Sequence, residues 1–292
     1  MDAVIAFVNG NDPVWQRAYA QTTSQTVLKK RYRDWGFLPY LLRGIEQNMP
    51  YIDKIFLLVS TESQVPDWVN RKSVHVVLHA DIIPSEYLPT FNSTTIELFL
   101  HRIPGLSERF VYFNDDLFPV SPLQESDLFR GDKIVTRFSH HLFATNLYKQ
   151  QTKRSDSMAR IAAGHNRSLI FIRPQHTITP MLQSVCAEVY SRLEPLLRMH
   201  ITPLRRKDNC NQYLYTDYLY HIGRVHLQTI STKHCSMAVY SGQKIANEIL
   251  QCRRSIICIN DVEMSDERMQ TMRSTILQAF ETRFPLKSRF EK

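Results

Sequence analysis

The chain has 292 residues, 43% of them hydrophobic and 22% charged, a balance that argues against a disordered or fibrous polymer and allows a large core in one domain or two joined lobes. Its 36 Lys and Arg against 28 Asp and Glu give a formal net charge of +8, which favours anionic partners: nucleotides, phosphorylated glycans or anionic lipid surfaces. The five cysteines are odd in number and contain no C-x-x-C pair, which argues against a disulfide framework or a structural zinc site and suits a reducing cytosol.

The opening MDAVIAFVNGNDP lacks the basic start of a signal peptide and the length of a membrane span. Its apolar run, residues 3–8, predicts a buried strand that discharges into the turn formers Asn9-Gly10-Asn11-Asp12-Pro13. Leu38, Leu41, Leu42 and Ile45 then recur at helical spacing until Met49-Pro50. IFLLV at 55–59, VHVVL at 74–78 and FVYF at 110–113 predict three further strands, with a helical stretch at 96–103 before the last. Continuous apolar strands alternating with helices imply an α/β fold, Rossmann-like and GT-A-type, with a mostly parallel sheet, helices on both faces and a helical C-terminal part.

Residues 149–167 are polar and basic and predict a flexible loop or lid leading from a core at 1–148 into a helical part at 149–292 that completes one catalytic unit. Helices are predicted at 181–197 and at the tyrosine-rich 212–221, and a strand at 255–259 runs into Asn260-Asp261. From Asp266 onward Met269, Met272, Ile276 and Phe280 share one helical face, read as core packing rather than a membrane anchor.

The stretch RFVYFNDDLF, residues 109–118, carries the sharpest chemical signal. Adjacent carboxylates repel each other and lose hydration when partly buried, so Asp115 and Asp116 call for a cation, donors or open solvent. Magnesium needs only one or two carboxylates beside phosphate oxygens and water, although acids at strand ends more often serve solvation or capping. In an open α/β sheet ligands sit beyond the carboxyl ends of the strands, where residues 9–12, Asp81 and 114–116 would fall. Arginines cluster at Arg31, Arg33 and Arg43 and again at Arg205 and Arg206, and a guanidinium suits bidentate phosphate contacts, against the commoner reading of a solvated face. His101 follows Glu97 by one helical turn and His176 stands in PQHT, though an isolated histidine is more often structural. No phosphate loop, zinc helix or nucleophile elbow is present.

Together these stretches resemble the Stealth proteins, which include bacterial capsular polysaccharide phosphotransferases and the catalytic part of the lysosomal-enzyme N-acetylglucosamine-1-phosphotransferase. DAVIAFVNGNDPVW resembles the first conserved region of that family. The second resembles RYRDWGFLPYLLRGIEQNMPYIDKIFLLVS, then QVPDWVN, then LPTFNSTTIELFLHRIPGLSERFVYFNDDLF. RPQHTITPMLQSVCAEVYSRL with the segment on to Arg206 resembles the third, and ICIND the fourth, all in family order. The chain departs from the pattern at Phe7, at Trp35-Gly36 and near Asn209.

The resemblance implies transfer of a hexose 1-phosphate from a nucleotide diphosphate sugar, for example UDP-GlcNAc, to a glycan hydroxyl, in synthesis of a capsule or cell-surface polysaccharide. It implies Mg2+ (or Mn2+) held by Asp116, Asp261 and Asn260. Catalytic roles fall to His176, Arg206, Asp115 and Glu97, and substrate contacts to Asp2, Asn9, Gly10, Arg31, Arg43, His101 and Arg102. The expected partners are a nucleotide sugar donor and a glycan acceptor, not nucleic acid, which the acidic strand ends would repel. The expected setting is the cytoplasm, with peripheral contact to the inner membrane face through the basic tail after Arg283. The runner-up is a metal-dependent GT-A glycosyltransferase, which would release nucleoside diphosphate instead of monophosphate. Donor sugar, acceptor hydroxyl and oligomeric state are left open by the sequence.

Overall fold

The N-terminal apolar run forms strand β1 (Asp2–Ala6), and the turn formers after it cap helix α1 (Pro13–Thr22): the Asp12 carboxylate accepts from the Val14 N–H at 2.7 Å, with proline opening the helix. In this computed structural model, which describes residues 1–292, α2 (Lys29–Tyr32), α3 (Leu38–Asn48), β2 (Ile55–Val59), β3 (Val74–Leu78), α4 (His79–Ile82) and α5 (Ser93–Glu97) follow. Next come β4 (Arg109–Asn114), β5 (Leu117–Pro119), β6 (Phe129–Arg130), β7 (Lys133–Thr136), β8 (Phe138–His141), α6 (Leu147–Ala162), β9 (Phe171–Pro174) and β10 (Thr179–Leu182). The chain ends with α7 (Gln183–Leu197), α8 (Tyr213–His221), β11 (Val225–Leu227), β12 (Thr232–Ser236), α9 (Gly242–Gln251), β13 (Ile256–Asn260) and α10 (Asp266–Arg283). The fold is α/β with a mostly parallel central sheet and helices at the C-terminus. No helix is long and apolar enough to cross a membrane.

The chain forms two compact units, each built from separate stretches. The first, the β1 unit, takes residues 2–76, 112–125 and 231–292; the second, the α6 unit, takes Met1, 77–111 and 126–230. In the β1 unit the sheet order is β4-β1-β2-β3, with β1 and β2 parallel and Ala3 opposite Ile55. A smaller sheet has the order β12-β13-β5, with β12 parallel and β5 antiparallel to β13. Behind β5, Phe118, Phe37 and Tyr40 surround Phe280 of α10 with ring centroids 4.9, 5.4 and 5.2 Å away, an apolar seat worth roughly 1.5–3 kcal/mol per buried ring. Gly44 of α3 presses on this strand: a Cβ there would stand 2.4 Å from the Pro119 carbonyl oxygen, which also accepts from the Asn48 amide at 3.0 Å.

In the α6 unit β10 lies beside the first half of β4, β11 and β6 flank β7, and β8 pairs antiparallel with β9. Two expectations fail here. The stretch 96–103 is only the end of the short α5 plus a 3-10 turn at Leu100–Arg102. The supposed loop at 149–167 is mostly helix: α6 is capped by the Asn146 side chain, which accepts from Lys149 N–H at 2.9 Å. Its buried face carries Gln151, Thr152, Ser155 and Asp156 beside Met158 and Ala159, so hydrogen bonds rather than an apolar stripe hold it.

Candidate active site

In the β1 unit β4 ends at Asn114, Asp115 and Asp116 form the turn, and β5 begins at Leu117 opposite Cys258 of β13. The Ile259 N–H donates to the Asp116 carbonyl at 2.8 Å, which fixes the turn against the end of β13. Asp116 Oδ2 accepts from Cys258 Sγ at 3.5 Å, and Asp116 Oδ1 is buried without a hydrogen-bond partner. Burial, and next the Asp116 charge, push the Cys258 thiol well above its ordinary range, so it stays protonated and donates. A buried carboxylate oxygen that lacks a donor fits a hard cation. Asp115 is exposed at the turn, and Asn260 is exposed at the end of β13.

Asp261 leaves β13 two residues after Ile259, so the structure brings Asp116 and Asp261 to one strand end. Its carboxylate is already engaged: Arg33 Nη1 donates to both oxygens at 3.0 and 3.1 Å, and Trp35 Nε1 donates to Oδ2 at 3.0 Å. Burial raises this carboxyl above its usual range, against the opposing pull of Arg33 and then Trp35. Trp35, a departure from the family pattern, is thus a direct partner of Asp261.

Asn9 and Gly10 sit past the carboxyl end of β1. The Asn9 backbone is clamped by Gln64, which accepts its N–H at 2.6 Å and donates to its carbonyl at 3.1 Å. Gly10 N–H donates to the Tyr32 carbonyl at 2.7 Å, and a Cβ at Gly10 would lie 2.6 Å from that oxygen, so only glycine permits the approach. Asp2 is fully buried at the opposite, amino end of β1, a strand's length from Asn9. Arg31 is half-buried in α2. Arg43 is occupied elsewhere: Nε and Nη2 donate to the two Glu291 oxygens at 2.8 and 2.6 Å and Nη1 to the Phe284 carbonyl at 2.8 Å, which pins the C-terminal segment.

In the α6 unit His176 follows β9. Its loop is held by Gln175, whose side chain donates to the Ile230 carbonyl at 2.7 Å and accepts from the Ile230 N–H at 3.0 Å. His176 Nδ1 lies 3.3 Å from the Tyr213 hydroxyl, which lies 2.7 Å from the Tyr148 hydroxyl. Burial drives the Tyr213 phenol well above its ordinary range and Tyr148 up to about 12, so both remain protonated. Glu97 is buried, raised by desolvation, and accepts the Gln212 N–H at 2.9 Å at the start of α8; it sets the helix that presents Tyr213.

Arg206 is solvent-exposed, with Nε 3.4 Å from Asp208. Its backbone is fixed from both sides, the N–H donating to Asn209 Oδ1 at 2.6 Å and the carbonyl accepting from Gln151 of α6 at 2.9 Å. Asn209 is the hub of this loop: its amide also donates to the His200 carbonyl at 2.7 Å and to Thr202 Oγ1 at 2.9 Å, and its Oδ1 accepts from Asn92 at 3.0 Å. His101 and Arg102 lie against Tyr190 of α7, at 5.3 Å and 5.5 Å. Burial, and next the Arg102 charge, lower the His101 imidazole to about 4, so it is neutral. The tyrosine run at 212–221 was the only sequence sign of the Tyr213–Tyr148 pair; nothing local marked Asn209 as a hub.

Residues 31–137 match the family described as Stealth protein CR2, conserved region 2. Over 329 aligned residues the chain is 30% identical to the capsular polysaccharide phosphotransferase WcwK of Streptococcus pneumoniae, covering 100% of this chain and 99% of that protein. It is 41% identical over 141 residues to the receptor polysaccharide phosphotransferase WefC of Streptococcus oralis, covering 45% of this chain and 42% of the other. Among solved structures the galactosyltransferase LgtC with donor and acceptor sugar analogues aligns over 99% of this chain and 98% of its own, at 8% identity and a TM-score of 0.47. End-to-end identity with WcwK, together with the matched conserved region, places the chain in the Stealth family.

Proposed function

We propose that this protein is a sugar-1-phosphate transferase of polysaccharide synthesis, moving a hexose 1-phosphate from a nucleotide diphosphate sugar to a glycan hydroxyl. The observation that carries the reading is the Asn114-Asp115-Asp116 turn, in a chain that aligns end to end with a capsular polysaccharide phosphotransferase: it offers the buried, unpartnered Asp116 Oδ1 at the end of a central strand. Asp116 and the exposed Asp115 would hold a divalent cation, Mg2+ or Mn2+, which when bound neutralises charge on a diphosphate. Asp261 adds charge at the same strand end while it orients Arg33 and Trp35.

His176 takes the proton from the acceptor hydroxyl, with its Nδ1 lying 3.3 Å from the Tyr213 hydroxyl. The acceptor oxygen forms its bond to the β-phosphorus as the bond from that phosphorus to the nucleoside monophosphate oxygen breaks, and the product is a phosphodiester. Arg206 contacts the nonbridging oxygens, where charge accumulates. Asn9 and Gly10 position the donor; Glu97 and Asn209 support His176 and Arg206 through α8 and the Arg206 loop.

Incubation with a panel of nucleotide sugars and a glycan acceptor tests this. Release of nucleoside monophosphate with a phosphodiester product is expected. Release of nucleoside diphosphate would make the protein a glycosyltransferase and defeat the proposal.

A further inference from the structure

Arg33 is a buried cation with one donor edge unexplained. Its side chain is 8% exposed, Nη1 is spent on Asp261, the guanidinium lies 5.4 Å from the Trp35 ring centroid, and Nη2 is buried without a hydrogen-bond partner. A buried N–H left unpaired is destabilising, so such a donor calls for an acceptor that arrives with a ligand. Three features of the β1 unit indicate which. Arg33 follows Tyr32, whose carbonyl accepts from Gly10 beyond β1, and it grips Asp261 beyond β13, so it lies where strand ends converge. Lys29, Lys30 and Arg31 precede it, and although Lys29 pairs with Asp266 at 3.6 Å as Arg33 does with Asp261, the segment stays basic and favours an anion. A guanidinium fixed on one edge by a carboxylate and an indole presents its other edge in one orientation, as phosphate oxygens require.

We propose that Arg33 is a phosphate-binding residue of the donor site, its orientation preset by Asp261 and Trp35. The assignment rests on the proposed function for the identity of the donor, and it gives Asp261 the task of holding an arginine in place for the incoming diphosphate.

The test uses the full chain and inorganic pyrophosphate, titrated by calorimetry with Mg2+ present, beside donor KM. Arg33→Lys keeps a charge for Asp261 but loses the second nitrogen; pyrophosphate affinity and donor KM should each worsen about tenfold while acceptor KM stays unchanged. Arg33→Met alone would strand a buried carboxylate, so Arg33→Met with Asp261→Asn serves as the second variant, with a larger loss expected. Wild-type pyrophosphate affinity in either folded variant overturns the proposal. If the chain releases only nucleoside diphosphate yet Arg33→Lys weakens pyrophosphate binding, the proposed function falls and the Arg33 assignment stands. If monophosphate is released and Arg33→Lys binds pyrophosphate as the wild type does, the reverse holds.

Discussion

The Tyr213 hydroxyl stands 3.3 Å from Nδ1 of His176 and 2.7 Å from the Tyr148 hydroxyl, so one buried phenol joins the histidine to α6. When His176 carries a proton on both ring nitrogens, the Tyr213 oxygen is the acceptor within reach of Nδ1–H. Tyr213→Phe removes this acceptor at nearly constant volume. Turnover should fall about ten- to a hundredfold, the worth of one hydrogen bond to a charged group, with donor KM little changed. Steady-state kinetics on a variant with wild-type circular dichroism checks it, and an unchanged kcat would remove Tyr213 from the scheme.

Asp116→Asn keeps the shape of the turn and removes its charge. Turnover should drop at least about a hundredfold, and Mn2+ binding, followed by electron paramagnetic resonance, should weaken in parallel. In the wild type a chelator should abolish activity and added Mg2+ or Mn2+ should restore it. Full activity in chelator would sink the cation assignment.

Asp217 of α8 is fully buried with neither carboxylate oxygen hydrogen-bonded. Desolvation, and next the neighbouring Asp156, raise its carboxyl well above the ordinary 3.8, with Arg160 opposing. In the unfolded chain the group ionises near 3.8 while the native state keeps its proton. Its contribution to stability is therefore intact below that pH and is lost as pH rises toward the native value. Asp217→Asn should be more stable than wild type at pH 7 by at least about 1 kcal/mol. The gap in melting temperature should close as pH falls to about 4. A gap independent of pH would contradict this account.

Asn209→Asp tests the hub of the Arg206 loop. The carboxylate cannot donate to the His200 carbonyl or Thr202, and it sets a negative charge against a carbonyl oxygen. Stability should fall by about 2–4 kcal/mol, the cost of stranding buried polar groups. Chemical denaturation reads the loss, and activity should decline with it because Arg206 is carried by that loop.

How much the sequence revealed depended on what each element buries. β2 and β3 match their predicted bounds: β2 is a continuous apolar run buried at every residue, and β3, at the sheet edge, keeps a valine-rich run broken only by His75. α6 escaped because its inward face is Gln151, Thr152, Ser155 and Asp156, polar residues whose partners, such as Asn211 for Ser155 and His221 for Asp156, lie far along the chain. The acidic turn was legible from RFVYFNDDLF alone. Its neighbour was not: Arg33 and Asp261 are 228 residues apart, and no local pattern links them. The arginines looked alike in sequence, yet Glu291 engages Arg43 on both oxygens while Arg33 keeps an open edge. Only the tertiary arrangement separates a cation used as a rivet from one available to a ligand.

The contact between Gly44 and the Pro119 carbonyl gives α3 a hidden hold over the acidic turn. Three residues of rigid strand separate that carbonyl from Asp116, so a methyl group added at Gly44 would act like a shim behind a lever and displace the carboxylates without touching them. Substitutions along the inner face of α3 would then masquerade as chemical lesions in any screen that scores product alone. Directed evolution of this enzyme should keep Gly44 fixed while diversifying the loops around it.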